Sequence, residues 1–131
     1  MKRIYIVDDS PEVRKRLAAM LSEVAAVRVV GQSGSAENAL ASIQRLMPDT
    51  VILDIRMPGK NGIQLLREIK SEHPGITAIM LTNYDYPQYR KESLQAGADH
   101  FFNKTREFER VVDLLRTELD ARPDRSLPDP D

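Results

Sequence analysis

With 131 residues, 41% of them hydrophobic and 30% charged, the chain has the size and composition of one folded domain with one substantial core. The 19 basic residues nearly balance the 20 acidic ones, which argues against nucleic acid or an anionic membrane as a partner. There is no cysteine, so disulfides, thiolate metal sites and cysteine nucleophiles are excluded.

The start, Met1-Lys2-Arg3-Ile4-Tyr5-Ile6-Val7, lacks the apolar stretch and cleavage site of a signal peptide, and no later apolar run approaches the ~18 residues of a membrane span. A cytoplasmic protein is expected. Ile4 to Val7 reads as a first strand, followed by a helix with Val13, Leu17, Met20, Leu21 and Val24 on one face. Ser10-Pro11 supplies a capping serine and a proline suited to the first helical position. Val27 to Val30 is the second strand, and Leu40, Ile43 and Leu46 mark the second helix. Val51-Ile52-Leu53 leads through a turn to a helix with Gly62, Leu66 and Ile69, and Ile76 to Leu81 is the fourth strand. A weakly amphipathic helix over roughly residues 87–96 ends at Gly97, a C-terminal cap. His100 to Asn103 is a short fifth strand, and Phe108, Val111, Val112, Leu115 and Leu119 mark the last helix.

This alternation predicts an α/β fold with a mostly parallel sheet covered by helices on both faces. The second strand carries Arg28 and the fifth is short and polar-ended, so both read as edges; the doubly wound order 2-1-3-4-5 fits that pattern. Residues 1–121 are expected to form the domain. Residues 122–131 hold three prolines and almost no apolar side chains, and read as a disordered tail.

Asp8-Asp9 and Asp54 fall where the first and third strands end. In the order 2-1-3-4-5 the winding reverses between those strands, and the crevice at their carboxyl ends is where ligands bind. Two carboxylates ~4 Å apart repel by roughly 4 kcal/mol at an effective dielectric near 20, so such a cluster needs a cation. An all-oxygen shell without His or Cys suits Mg²⁺. Singly, each residue has an ordinary explanation: Asp8, Asp9 or Ser10 as a helix cap, Asp54 as a turn former, Lys104 as a solvated charge, Thr82 as a strand residue.

Together they resemble the receiver domains of bacterial two-component response regulators. The matching segments are Ile6-Val7-Asp8-Asp9-Ser10, Leu53-Asp54-Ile55-Arg56-Met57-Pro58-Gly59 with Gly62, Met80-Leu81-Thr82, and Gly97-Ala98-Asp99 leading to Lys104. The likeness covers about residues 2–120 and implies a flavodoxin-like fold of five strands and five helices. It implies that Asp54 takes a phosphoryl group from a histidine kinase, a phosphotransfer protein or a small acyl phosphate. Asp9, Asp54 and the backbone carbonyl of Arg56 would bind Mg²⁺, and Asp8 would act through water. Lys104 would pair with the phosphoryl group, the Thr82 hydroxyl would hydrogen-bond it, and Phe101 would move inward as Thr82 engages. The chain would then be a regulatory phosphoacceptor, not an enzyme with a separate substrate, and would signal to a downstream protein without binding nucleic acid itself.

Two features depart from the family. The residue after Lys104 is Thr105 instead of proline, leaving the Lys104–Thr105 bond either trans or cis under strain; Asn83 and Tyr84 stand where small residues are usual. Tyr84, Tyr86, Tyr89, Phe101, Phe102 and Phe108 cluster late in the chain and suggest a regulated protein-binding face. A stand-alone regulator is expected. The alternatives are the receiver part of a larger DNA-binding regulator, with Arg122-Pro123 as linker, and an aspartyl-phosphate hydrolase. The hydrolase needs a general acid two residues after Asp54, where this chain has Arg56. A flavin carrier would need a polar phosphate-binding loop after the first strand.

Overall fold

In the computed structural model, which describes residues 1–126 and side chains as far as Thr117, strands and helices alternate throughout. They are β1 (Lys2–Val7), α1 (Pro11–Leu21), β2 (Val27–Ser33), α2 (Ala36–Leu46), β3 (Thr50–Leu53), α3 (Gly62–Glu72), β4 (Thr77–Thr82), α4 (Pro87–Gln95), β5 (His100–Asn103) and α5 (Phe108–Ser126). The strands form one parallel sheet in the order β2-β1-β3-β4-β5, as the sequence predicts.

Alternation along the central strands sorts the core onto two faces. Ile4 and Ile6 of β1, Ile52 of β3, and Ile79 and Leu81 of β4 pack with Leu17 and Leu21 of α1 and with Phe108, Val111, Val112 and Leu115 of α5. Tyr5, Val7, Val51, Leu53, Ala78 and Met80 point the other way, toward Ala39 and Ile43 of α2 and Leu65, Leu66 and Ile69 of α3. The helix over α4 is different: Ser93 is its one buried residue among those described.

Several boundaries differ from the sequence reading. β2 runs to Ser33 because a bulge between the partners of Ile4 and Tyr5 absorbs one residue and lets pairing continue. Beyond it, Gly31 lies under the Tyr5 ring, where an added Cβ would come within 2.6 Å of Cε2, and the Tyr5 hydroxyl hydrogen-bonds Ser33. β1 starts at Lys2, and β4 is Thr77–Thr82, one residue later than expected, so its last residue is Thr82. The expected boundary at residue 121 falls within α5; residues 127–131 of the expected tail lie outside the described residues. Among the described residues no helix is long and apolar enough to cross a membrane.

Candidate functional site at the carboxyl edge of the sheet

Each chemistry-bearing residue stands just where a strand gives out. Asp8 follows β1, Asp54 follows β3, Thr82 ends β4 and Lys104 follows β5. The ladder carries on one step into each loop: the Asp8 N–H donates to the Ser33 carbonyl (3.1 Å), that of Asp54 to Val7 (3.0 Å) and that of Lys104 to Thr82 (2.8 Å). Main-chain bonds therefore fix the Cα positions from which the side chains project.

The Lys104 ammonium lies between two buried carboxylates, 2.6 Å from Asp54 Oδ2 and 2.7 Å from Asp8 Oδ2. The remaining oxygens have local donors: Asp54 Oδ1 accepts from the Ile55 N–H (2.7 Å), and Asp8 Oδ1 from the Ser10 N–H (2.9 Å). Burial pushes the Asp8 carboxyl above the ordinary aspartate range despite Lys104 and the Ser10 N–H, and the Asp54 charge adds to the rise. For Lys104, burial works against the ammonium. Its hydrogen bonds and charge attraction to Asp54 and Asp8 outweigh that cost and hold it above the usual lysine range.

Asp9 is exposed beside them. One carboxylate oxygen from each of Asp8, Asp9 and Asp54 lies within 4.8 Å of the others. That all-oxygen set, free of His and Cys, fits a small hard cation. Thr82 is fully buried, and its Oγ1 accepts the Tyr84 N–H at 3.1 Å, leaving the hydroxyl proton available for donation. Phe101 is already turned inward, 8% exposed, with the Arg90 guanidinium 4.4 Å from its ring centre. The Lys104–Thr105 bond is trans, and the ammonium reaches both carboxylates without a cis bond. Tyr84 is half-buried, and the Arg56 guanidinium lies 4.9 Å from its ring centre, bridging the loops after β3 and β4.

A profile of the response regulator receiver domain matches residues 4–116. The chain belongs to this family. Over 116 residues the receiver domain is 33% identical to the response regulator GacA of Pseudomonas viridiflava, covering 88% of this chain and 54% of that protein. Over 129 residues it is 33% identical to the DNA-binding transcriptional activator DevR/DosR of Mycobacterium tuberculosis, covering 98% of this chain and 58% of that one. The receiver chain thus spans about half the length of the curated relatives it matches. Among solved structures, a CheY-like response regulator receiver domain protein from Methanospirillum hungatei superposes with a TM-score of 0.84 at 28% identity, covering 96% of this chain and 99% of that one. The response regulator domain of Thermotoga maritima CheB superposes with a TM-score of 0.81, also at 28% identity, covering 99% of each chain. As in the family, the receiver domain brings an acidic cluster typical of phosphoacceptor sites to the sheet edge.

Single-residue reasoning about the sequence gets part of the site right for ordinary reasons. Ser10 does cap α1, accepting the Val13 N–H at 3.2 Å, and Asp8 braces that cap through the Ser10 N–H. It misses Arg14, a half-buried residue of α1 whose Nη1 donates to the Asp8 carbonyl at 2.5 Å. The physical role of Gly62 is also invisible in sequence: a Cβ there would sit 1.8 Å from the Asp54 carbonyl oxygen.

Proposed function

We propose that this receiver domain is a phosphoacceptor switch in which Asp54 takes a phosphoryl group from a histidine kinase or a phosphotransfer protein. The observation that carries the reading is the Lys104 ammonium held against Asp54 and Asp8 at 2.6 and 2.7 Å, at the edge of a carboxylate cluster suited to a hard cation. An Asp54 carboxylate oxygen attacks phosphorus; the O–P bond forms as the N–P bond to the donor imidazole breaks, and the imidazole keeps the bonding pair. Lys104, with three donors, stays on Asp8 while turning a proton toward the incoming phosphoryl oxygens. The Thr82 hydroxyl donates to another. Asp9, Asp54 and the Arg56 carbonyl would hold Mg²⁺, with Asp8 contributing through water, and the ion would supply neutralisation of charge on the phosphoryl oxygens. Such a donor reaction belongs to the cytoplasm. Its consequence is a changed face over residues 83–104 and the last helix, read by a downstream protein, with Thr82 and Phe101 as the switch pair.

The test is incubation with acetyl phosphate and Mg²⁺ followed by intact mass. One phosphoryl adduct is expected, lost in Asp54→Asn; undiminished labelling of that variant would move the acceptor elsewhere. A second reading, the receiver part of a larger DNA-binding regulator, is favoured by relatives of which the match covers only 54% and 58%, one of them a DNA-binding transcriptional activator. Reading the encoding gene to its stop codon distinguishes a stand-alone regulator from such a part.

A further inference from the structure

Lys104 reaches the carboxylates from a loop, and a long side chain on a loop is aimed only as well as its backbone is held. The residue before it holds that backbone. Asn103 is 7% exposed, and its amide oxygen accepts the N–H groups of Thr105 and Arg106, both at 2.9 Å. Its own N–H donates to Glu107 Oε1 (2.8 Å), and its carbonyl accepts the Glu107 N–H (2.8 Å). These bonds close residues 103–107 on themselves around Lys104. The Thr105 N–H among them is a donor that proline would lack.

The other end of the Asn103 amide reaches across to the loop after β4. Its Nδ2 donates to Asp85 Oδ2 at 3.1 Å, and Arg106 Nη2 donates to the same oxygen at 2.7 Å. Beside them the Thr105 hydroxyl donates to Asn83 Oδ1 at 2.8 Å. With its oxygen committed to two backbone donors and its nitrogen to Asp85, Asn103 has one orientation that satisfies all its partners.

We infer that Asn103, braced by Asp85, is the positioning residue that aims Lys104 at Asp54 and at the phosphoryl group Asp54 accepts. The inference rests on the phosphoacceptor reading above. Asn103 acts through Lys104, so its effect on the reaction must vanish when Lys104 is gone.

The test uses the full chain with Mg²⁺ and acetyl phosphate, reading the phosphorylation rate by intact mass. Asn103→Ala is expected to slow labelling about 10-fold and Asp85→Ala about 3-fold, as misaimed groups do. Neither is expected to slow it further in a Lys104→Ala background. Asn103→Ser, whose hydroxyl keeps an acceptor for the Thr105 and Arg106 N–H groups, recovers most of the rate. Unchanged rates in both Asn103→Ala and Asp85→Ala, or equal slowing with and without Lys104, overturn the positioning role alone. If Asn103→Ala does not fold, the half-buried Asp85→Ala decides by the same comparison. An unlabelled wild type, or Lys104→Ala as fast as wild type, overturns the reading of the site and the positioning role with it.

Discussion

Asp8, Asp9 and Asp54 crowd carboxylate oxygens within 4.8 Å, and Lys104 offsets the repulsion of only the two it touches, Asp8 and Asp54. A divalent cation held at the cluster, as proposed above, would supply the rest of the counter-charge and would bind the folded state alone. At one hundred times its dissociation constant it adds ~2.7 kcal/mol, whatever that constant is. For a domain of this size Mg²⁺ is expected to raise the melting temperature by about 5–15 °C. Asp9→Ala leaves the Lys104 contacts in place and is expected to abolish most of that gain, as followed by thermal melts with and without Mg²⁺. A full response in the variant would put the ion at another site.

At the scale of elements, the loop from β3 to α3 is set by how closely two backbones approach. The Gly62 N–H donates to the Ile55 carbonyl at 2.7 Å, and Asn61 with Gln64 forms a capping box that starts α3. A methyl at residue 62 would meet backbone, at 1.8 Å from the Asp54 carbonyl oxygen, where no side chain can swing aside. Gly62→Ala is therefore expected to cost about 1–3 kcal/mol in denaturant unfolding and to displace Asp54, depressing labelling beyond the stability loss. Retained labelling at normal rate would mean that α3 shifts as a unit and leaves Asp54 in place. The opposite holds for α4, which buries Ser93 with its hydroxyl unpartnered. Ser93→Ala removes a group whose desolvation costs about 1–3 kcal/mol, so its melting temperature is expected to match or exceed that of the wild type. A clear destabilisation would show that the hydroxyl has a water partner.

For the whole molecule, the relevant contrast is between a sheet packed on both faces and one loosely seated helix. Thr82 lies buried at the site with its Oγ1 accepting the Tyr84 N–H, so the proposed movement of the whole residue toward a phosphoryl oxygen would pull on the chain leading into α4. One charge-assisted hydrogen bond, worth ~1.5–3 kcal/mol, shifts a two-state segment roughly 10- to 150-fold when made in one state only. Because Phe101 is already inward and capped by Arg90, the structure corresponds to the inward packing of the proposed switch pair. Hydrogen exchange on free and beryllofluoride-bound protein is expected to change within residues 83–104, to change less in Thr82→Ala, and to leave α2 unaffected. Changes confined to the surroundings of Asp54 would sink this relay and move the responsive face elsewhere.

The strands, the polar edges and the acidic residues at strand ends were legible in the sequence because they follow from local signals. The order 2-1-3-4-5 that gathers those residues fitted the pattern and came with the resemblance to receiver domains. Apolar runs such as Val51-Ile52-Leu53 are fully buried strands, and the acidic residues follow directly where such runs stop. The Ser10-Pro11 start of α1 and the Gly97 cap, at a φ of 107°, are equally local. Tertiary structure alone decided what depends on residues far apart in the chain. The length of β2 turned on a bulge opposite Tyr5, and the need for Gly62 on a close approach to Asp54. The aim of Lys104 without a proline turned on Asn103 and on Asp85, 18 residues earlier. Strand and cap signals act over a few residues, so a sequence displays them; backbone contacts and hydrogen-bond networks between loops exist only once the sheet has brought those loops together.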